Sequence, residues 1–327
     1  MPGCGNACFS FAMKHLYSAL LLAAGLSTSC ATNPYRATNK SYQRQARAYA
    51  RTIQAQPQLS AGPDSLPQGS YWVGTTNFGL RKPNLVVIHH TAQHSTDETL
   101  KTFTLPRTQV SAHYVIGRDG HTFHMLSDYL RAWHGGAARW GNDNDINSAS
   151  IGIELDNNGT EPFAEPQIKS LLVVLKYLKK TYNIPAANFI GHADIAPTRK
   201  NDPNVTFPWK RLADSDFGLW YDVAALRDTV AAASLAAVLL PVPSGTSAPA
   251  VAPGALTGLS ADSTARGPLS PVDTFDPREA LRIIGYDTRD LGAAITAFKR
   301  HFIPQNVNAM LTRDDRRVLF NLYKKYL

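Results

Sequence analysis

Apolar positions along the chain change period several times, and each change marks an element. Residues 85–90 (LVVIHH) form a short continuous apolar run of the kind that makes a buried strand. Ser95 and Glu98 then give a capping-box signature that opens a helix near Asp97. Two β-runs, 112–116 and 122–126, are joined by Gly117, Arg118, Asp119 and Gly120, which is a hairpin signal. In 150–155 the pattern alternates, with Ile151, Ile153 and Leu155 on one face and Gly152 and Glu154 on the other. Residues 167–182 carry Ile168, Leu171, Leu172, Leu175 and Leu178 at helical spacing, and 188–191 reads as a short strand before a polar loop. Strands alternating with helices in this order predict an α/β fold, a mixed β-sheet flanked by helices.

A second pattern follows a break. Residues 241–271 are dominated by Pro, Gly, Ser, Ala and Thr, a composition that buries too little surface to offset chain entropy and reads as a linker. Beyond it, 272–327 has helical spacing around Leu281, Ile283 and Ile284, then Leu291, Ile295 and Phe298, then Val318, Leu319 and Leu322. Three short helices, a small all-α C-terminal domain, are expected. Just ahead of the linker, 223–240 is apolar, but Arg227 and Asp228 leave a run shorter than the roughly 20 residues of a membrane span. It reads as a surface helix trailing a domain of residues 71–240.

The amino terminus carries a different signal. From Met13 there is a short basic stretch with Lys14 and His15, an apolar run at 16–26, and small residues before Cys30. This predicts a signal peptide over 1–29, with 1–12 an upstream extension of the start. Small residues before a cysteine resemble a lipoprotein cleavage site, which would leave Cys30 as a lipidated first residue. Ser27 stands where the usual Leu would be, and an ordinary secretory signal cleaved near Ala31 is the alternative. Residues 30–70 then form a basic tether, partly helical, able to touch anionic headgroups or simply to stay solvated.

Charge and cysteine usage narrow the classes. The chain of 327 residues has 33 Lys plus Arg against 25 Asp plus Glu, a formal charge of +8. The excess is not on the main body: six basic and no acidic residues fall in 1–60, 17 against 18 in 61–271, and ten against seven in 272–327. A nucleic-acid-binding domain concentrates its charge on the folded body, so nucleic acid is not an expected partner. All three cysteines, Cys4, Cys8 and Cys30, lie in the first 30 residues. No disulfide or cysteine-type metal site is possible in the body, where a metal would need His and carboxylate.

Such residues collect at the predicted strand ends: His89 and His90 after the first strand, Glu154 in another, then His192, Lys200 and Asp202. Neighbours on a strand point to opposite faces, so only one of His89 and His90 can serve one site. Two imidazoles and a carboxylate make a three-ligand zinc site with an open fourth position, the catalytic type. No HExxH helix of a metallopeptidase occurs.

Taken together, VIHHTA, SAHYVIGRDG, AWHGG, SIGIELDNNG and GHADIAPTRKNDP, in that order, resemble the zinc-dependent N-acetylmuramoyl-L-alanine amidases of the Amidase_2 type. Phage T7-like lysozymes and peptidoglycan recognition proteins share that fold. The resemblance covers 71–222, and 272–327 is similar to the small C-terminal domain of the family's outer-membrane lipoprotein branch. It implies Zn²⁺ held by His89, His192 and Asp202, with Glu154 as general base and Lys200 stabilising the oxyanion. Other branches use a Cys as third ligand and a Tyr in the hairpin, where this chain has Asp202 and Ala112. Trp133 and His134 would line the substrate groove, unless the Trp packs under its loop; Arg139, Trp140 and Asn142 would reach stem peptide or sugar, or remain solvated. His94, His121 and His124 are expected to be structural. The implied reaction is hydrolysis of the bond between N-acetylmuramic acid and L-alanine in peptidoglycan or anhydro-muropeptides, the alternative being a non-catalytic recognition module. The expected setting is a monomer in the cell envelope, an outer-membrane lipoprotein facing the periplasm. Its C-terminal domain would bind peptidoglycan or only pack on the catalytic one.

Overall fold

The computed structural model describes residues 33–54, 79–223 and 271–327. The expected signal peptide, Cys30, the apolar stretch at 224–240 and the linker up to 270 lie outside the described residues. The chain divides into two units, 1–78 and 79–327. In the first, α1 (Arg36–Gln54) is a helix without a buried residue. Its five basic side chains, Arg36, Lys40, Arg44, Arg47 and Arg51, recur every three or four residues, which places them within about 80° of one another around the axis. No described helix is long and apolar enough to cross a membrane.

The second unit is built on a five-stranded sheet in the order β3-β2-β4-β1-β5. Strand β1 is Leu85–His90, β2 Tyr114–Ile116, β3 Thr122–His124, β4 Ser150–Leu155 and β5 Phe189–Gly191. All pairs are parallel except the β2–β3 hairpin, so the sheet is mixed. Every residue of β1 and β4 is buried, because these strands are covered on both faces. Val86, Ile88, Ile151, Ile153 and Leu155 pack with Ile168, Leu171, Leu175 and Leu178 of the long helix Glu165–Tyr182. Leu85, Val87 and Ile190 pack on the other face with Ile146 and Ile195. Helix Thr96–Thr104 starts at the predicted cap, Ser95 accepting from the Glu98 amide at 3.2 Å.

Some bounds differ from the sequence reading. Strand β2 begins at Tyr114 rather than at 112: the His113 amide still donates to the Gly152 carbonyl at 3.0 Å, but the Gly152 amide turns to the His113 ring, whose Nδ1 accepts it at 3.1 Å. Past residue 270, a turn of helix (Pro271–Thr274) precedes the three expected helices, Pro277–Ile284, Leu291–Phe302 and Arg313–Tyr323. Residue 271 therefore belongs to the helical block. Asp276, Asp290 and Thr312 cap those three helices, and Leu281, Ile284, Phe298, Leu319 and Leu322 close their core. Inside it Lys299, fully buried, meets Asp315 at 2.8 Å.

The block packs on the sheet domain. Gly285, at a φ of +132° that favours glycine, lies under the Trp140 ring, where a Cβ would come within 2.5 Å. The Gly141 amide donates to the Gly285 carbonyl at 2.7 Å, and the Trp140 ring meets Tyr286 edge-on at 5.1 Å. Trp140, expected as a substrate contact, is thus part of the seam between the two halves of this unit.

Candidate metal centre

Register delivers the site. His89 pairs with Glu154 across β1 and β4, and Ile88 with Gly191 across β1 and β5, so three parallel strands bring His89, Glu154 and His192 to one end of the sheet. Alternation turns His89 to the face of Leu85 and Val87, the face Glu154 also occupies. His90 turns the other way, where its Nδ1 accepts the Asn204 amide at 3.1 Å. His192 opens the one-turn helix His192–Ile195, and the Ala193 amide donates to the Asp202 carbonyl at 2.7 Å, which folds the following loop back over the site.

The three expected ligands converge. His89 Nδ1 lies 2.9 Å from His192 Nδ1 and 3.2 Å from Asp202 Oδ2, and His192 Nδ1 lies 3.0 Å from the same oxygen. All three residues are buried. The outer ring nitrogens are already engaged. Ser150 Oγ donates its one proton to the Ile146 carbonyl at 2.5 Å, so it accepts from His134 Nε2 at 3.2 Å. His134 Nδ1 is then an acceptor and takes the Nε2 proton of His89 at 3.1 Å. His192 Nε2 donates to the Gly135 carbonyl at 3.1 Å. Both Nδ1 atoms consequently turn lone pairs toward each other and toward a carboxylate oxygen. Three acceptors facing one another are satisfied by a cation. Their separations are close to the roughly 3.3 Å expected between tetrahedral ligands at 2.0–2.1 Å from Zn²⁺, so the donor set fits that ion. These three form a group that could hold a metal ion.

Glu154 stands beside the triangle with Oε1 4.0 Å from His89 Nδ1. Its Oε2 is buried without a hydrogen-bond partner. Burial first, and then the Asp202 charge, push its carboxyl up to about 8, against the opposing charge of Lys200. Burial and the neighbouring His192 hold the His89 ring down to about 4, so at neutral pH it is an uncharged ligand. Lys200 is exposed on the loop ahead of Asp202, and its charge reaches both Glu154 and His89.

Two expected groove residues part company. Trp133 is 53% exposed, so it does not pack under its loop. His134 is buried with both ring nitrogens bonded to protein, which leaves neither nitrogen free for a substrate hydrogen bond and sets the ring against His89. Asn147, not singled out from sequence, holds that turn: its Oδ1 accepts the amides of His134 at 3.1 Å and Gly135 at 2.8 Å. Gly152 leaves room for the ring, since a Cβ there would sit 2.4 Å from it. Such a glycine in a strand interior was the available signal for close approach. Arg139 bonds to Ile195 through its backbone and to Gly141 through its side chain, while Asn142 is exposed. His121 pairs with Asp119 and His124 with Asp128, both away from the centre.

Comparison with known proteins gives the same direction. Residues 79–205 match the family model Amidase_2, described as N-acetylmuramoyl-L-alanine amidase. The chain is 30% identical over 264 residues to N-acetylmuramoyl-L-alanine amidase AmiD of Escherichia coli, covering 74% of this chain and 83% of that protein. It is 40% identical over 104 residues to 1,6-anhydro-N-acetylmuramyl-L-alanine amidase AmpD of the same organism, spanning 57% of that protein. Among solved structures, E. coli AmiD in complex with anhydro-N-acetylmuramic acid-L-Ala-D-gamma-Glu-L-Lys superposes with a TM-score of 0.58 at 26% identity, covering 80% of this chain and 97% of that one. AmpDh3 of Pseudomonas aeruginosa in complex with anhydromuramic pentapeptide gives 0.58 at 27% identity, covering 82% and 99%. With a matched family model, a relative aligned over most of both chains and the sheet order described above, this chain belongs to the Amidase_2 family of N-acetylmuramoyl-L-alanine amidases.

Proposed function

We propose that this chain hydrolyses the amide between N-acetylmuramic acid and L-alanine in peptidoglycan or its anhydro-muropeptide fragments, with Zn²⁺ held by His89, His192 and Asp202. The observation that carries this reading is the triangle of two imidazole lone pairs and one carboxylate, none more than 3.2 Å apart, with the buried Glu154 carboxyl beside it, its Oε2 without a hydrogen-bond partner. A zinc ion in such a site supplies Lewis acidity toward the amide carbonyl and lowers the pKa of water toward about 7.

The chain's own groups do the rest. Glu154, whose burial raises its affinity for a proton, takes one from the attacking water and returns it to the leaving L-alanine nitrogen. Lys200 sets a positive charge against the oxyanion that develops on the carbonyl. His134 and Gly135 fix the tautomers of the two histidine ligands, and Asn147 holds both through their backbone amides. Exposed Trp133 offers an apolar wall to the substrate.

The setting follows from the amino-terminal segment. Cys30 is lipidated after removal of the signal peptide, the protein faces the periplasm from the outer membrane, and the basic stripe of α1 lies against anionic headgroups. Five exposed cations without an acid on one helix face support that placement, at about 1 kcal/mol per residue near the surface. The C-terminal block adds affinity for the wall polymer. The activity is tested by incubating the protein with purified anhydro-muropeptide and identifying products by mass spectrometry. Free stem peptide beginning with L-alanine is the expected product; intact substrate at every zinc concentration would favour a recognition module instead.

A further inference from the structure

The two histidine ligands are not equally supported. His89 lies inside an interior strand paired on both sides, one residue before its end, whereas His192 follows the three-residue strand β5 at the sheet edge and rides on a single helical turn. Something other than the sheet must hold that turn. Its third residue, Asp194, is 1% exposed, and its carboxylate gathers three donors. Oδ2 accepts the Gly191 amide at 2.7 Å, tying the turn to the strand end. The other two donors come from the C-terminal helical block: Tyr286 Oη gives its proton to Oδ1 at 2.8 Å, and His301 Nδ1 donates to Oδ2 at 2.8 Å. Tyr286 and His301 are themselves buried. The His301 ring stacks on Trp209 at 3.8 Å between centroids, and Trp209 in turn crowds Gly191, where a Cβ would come within 3.0 Å of the indole.

We infer that the C-terminal helical block is a working part of the metal site, with Tyr286 and His301 as positioning residues that fix Asp194 and, through it, the turn that presents His192. This rests on the metal-centre reading above and gives the block a task besides wall binding. A buried carboxylate stays buried only while its donors remain. Without the two from the block, Asp194 keeps one of three, and the turn bearing His192 loses its outer anchor. His89, Glu154 and Asp202 make no hydrogen bond to the block among the described residues, so the effect reaches the site through the turn, at His192 and at Asp202, whose carbonyl accepts the Ala193 amide, and not at His89.

Zinc affinity, read by competition with a chromophoric chelator on the full chain, separates this from simple packing. Tyr286→Phe keeps the ring and removes only the donor; His301→Leu removes the other. Each is expected to weaken zinc binding about tenfold, the lower end for outer-shell partners, while kcat per bound zinc and KM change little. His301→Asn, which restores a donor near the Nδ1 position without the ring, is expected to recover most of the loss. Wild-type affinity in both Tyr286→Phe and His301→Leu, even with a lowered Tm, would overturn the inference, because packing alone would then account for the seam. If His301→Leu does not fold, Tyr286→Phe decides by itself. A wild-type chain that takes up no zinc would instead overturn the metal-centre reading, and this inference with it.

Discussion

His134 Nδ1 lies 3.1 Å from His89 Nε2, on the side of the ligand ring away from the metal triangle. The contact assigns the proton of His89 to Nε2 and frees Nδ1 for coordination. Replacing His134 with Phe keeps an aromatic ring but no acceptor. Zinc affinity should fall by about 10- to 100-fold, with KM for muropeptide little changed once zinc saturates the site. Isothermal titration and saturation kinetics separate this from a groove residue, whose loss would raise KM and leave zinc affinity alone.

Glu154 has one oxygen 4.0 Å from His89 Nδ1 and the other without a partner. Glu154→Gln keeps the shape and abolishes proton transfer. The expected result is a loss of 10²- to 10⁴-fold in kcat with zinc still bound at one equivalent by atomic absorption. Loss of the metal in this variant would make Glu154 a ligand rather than a base.

Gly152 is closed to any side chain by the His134 ring. Gly152→Ala should therefore cost about 1–3 kcal/mol in urea unfolding, the usual range for overpacking, and reduce zinc affinity in the same protein. An alanine variant with wild-type stability and metal content would show that the ring has room to move.

His113 gives a pH dependence independent of the metal. Its Nδ1 accepts the Gly152 amide, its Nε2 donates to the Leu130 carbonyl, and the ring is fully buried. Burial, reinforced by the nearby Arg81 cation, lowers it to about 4 from an unfolded value of 6.5. Between those values the unfolded chain holds a proton that the folded one excludes, so this residue's contribution to stability is present above pH 6.5 and is lost as pH falls toward 4. The slope amounts to about 3 kcal/mol across the window. His113→Gln, compared with the wild type by urea unfolding at pH 4.5 and 7, should lose that part of the slope. An unchanged slope would mean that the ring is charged when folded.

Much of the site could be read from the chain because its ligands sit at ends of strongly apolar strands and in short runs. His89 and Glu154 lie on β1 and β4, where continuous burial leaves few readings other than a central parallel strand. Alternation allowed only one of His89 and His90 to face the site, and the family resemblance pointed to His89. The part that could not be read is tertiary. His134 faces His89 only because Gly152, on a strand 16 positions later or more, leaves a hollow for its ring. Trp140 has the look of a groove aromatic, yet it is covered by Gly285, far along the chain. Asp194 meets Tyr286 and His301 across 92 and 107 residues, and no local pattern of charge or period encodes such a contact.

The central claim is that one zinc ion joins His89 Nδ1, His192 Nδ1 and Asp202. Crystals grown with zinc and measured on both sides of its absorption edge test this most directly. The expected result is a single strong anomalous peak about 2.0–2.2 Å from those three side chains, with Glu154 outside bonding distance. Absence of a peak there under saturating zinc, or coordination through the Nε2 atoms, would contradict the account.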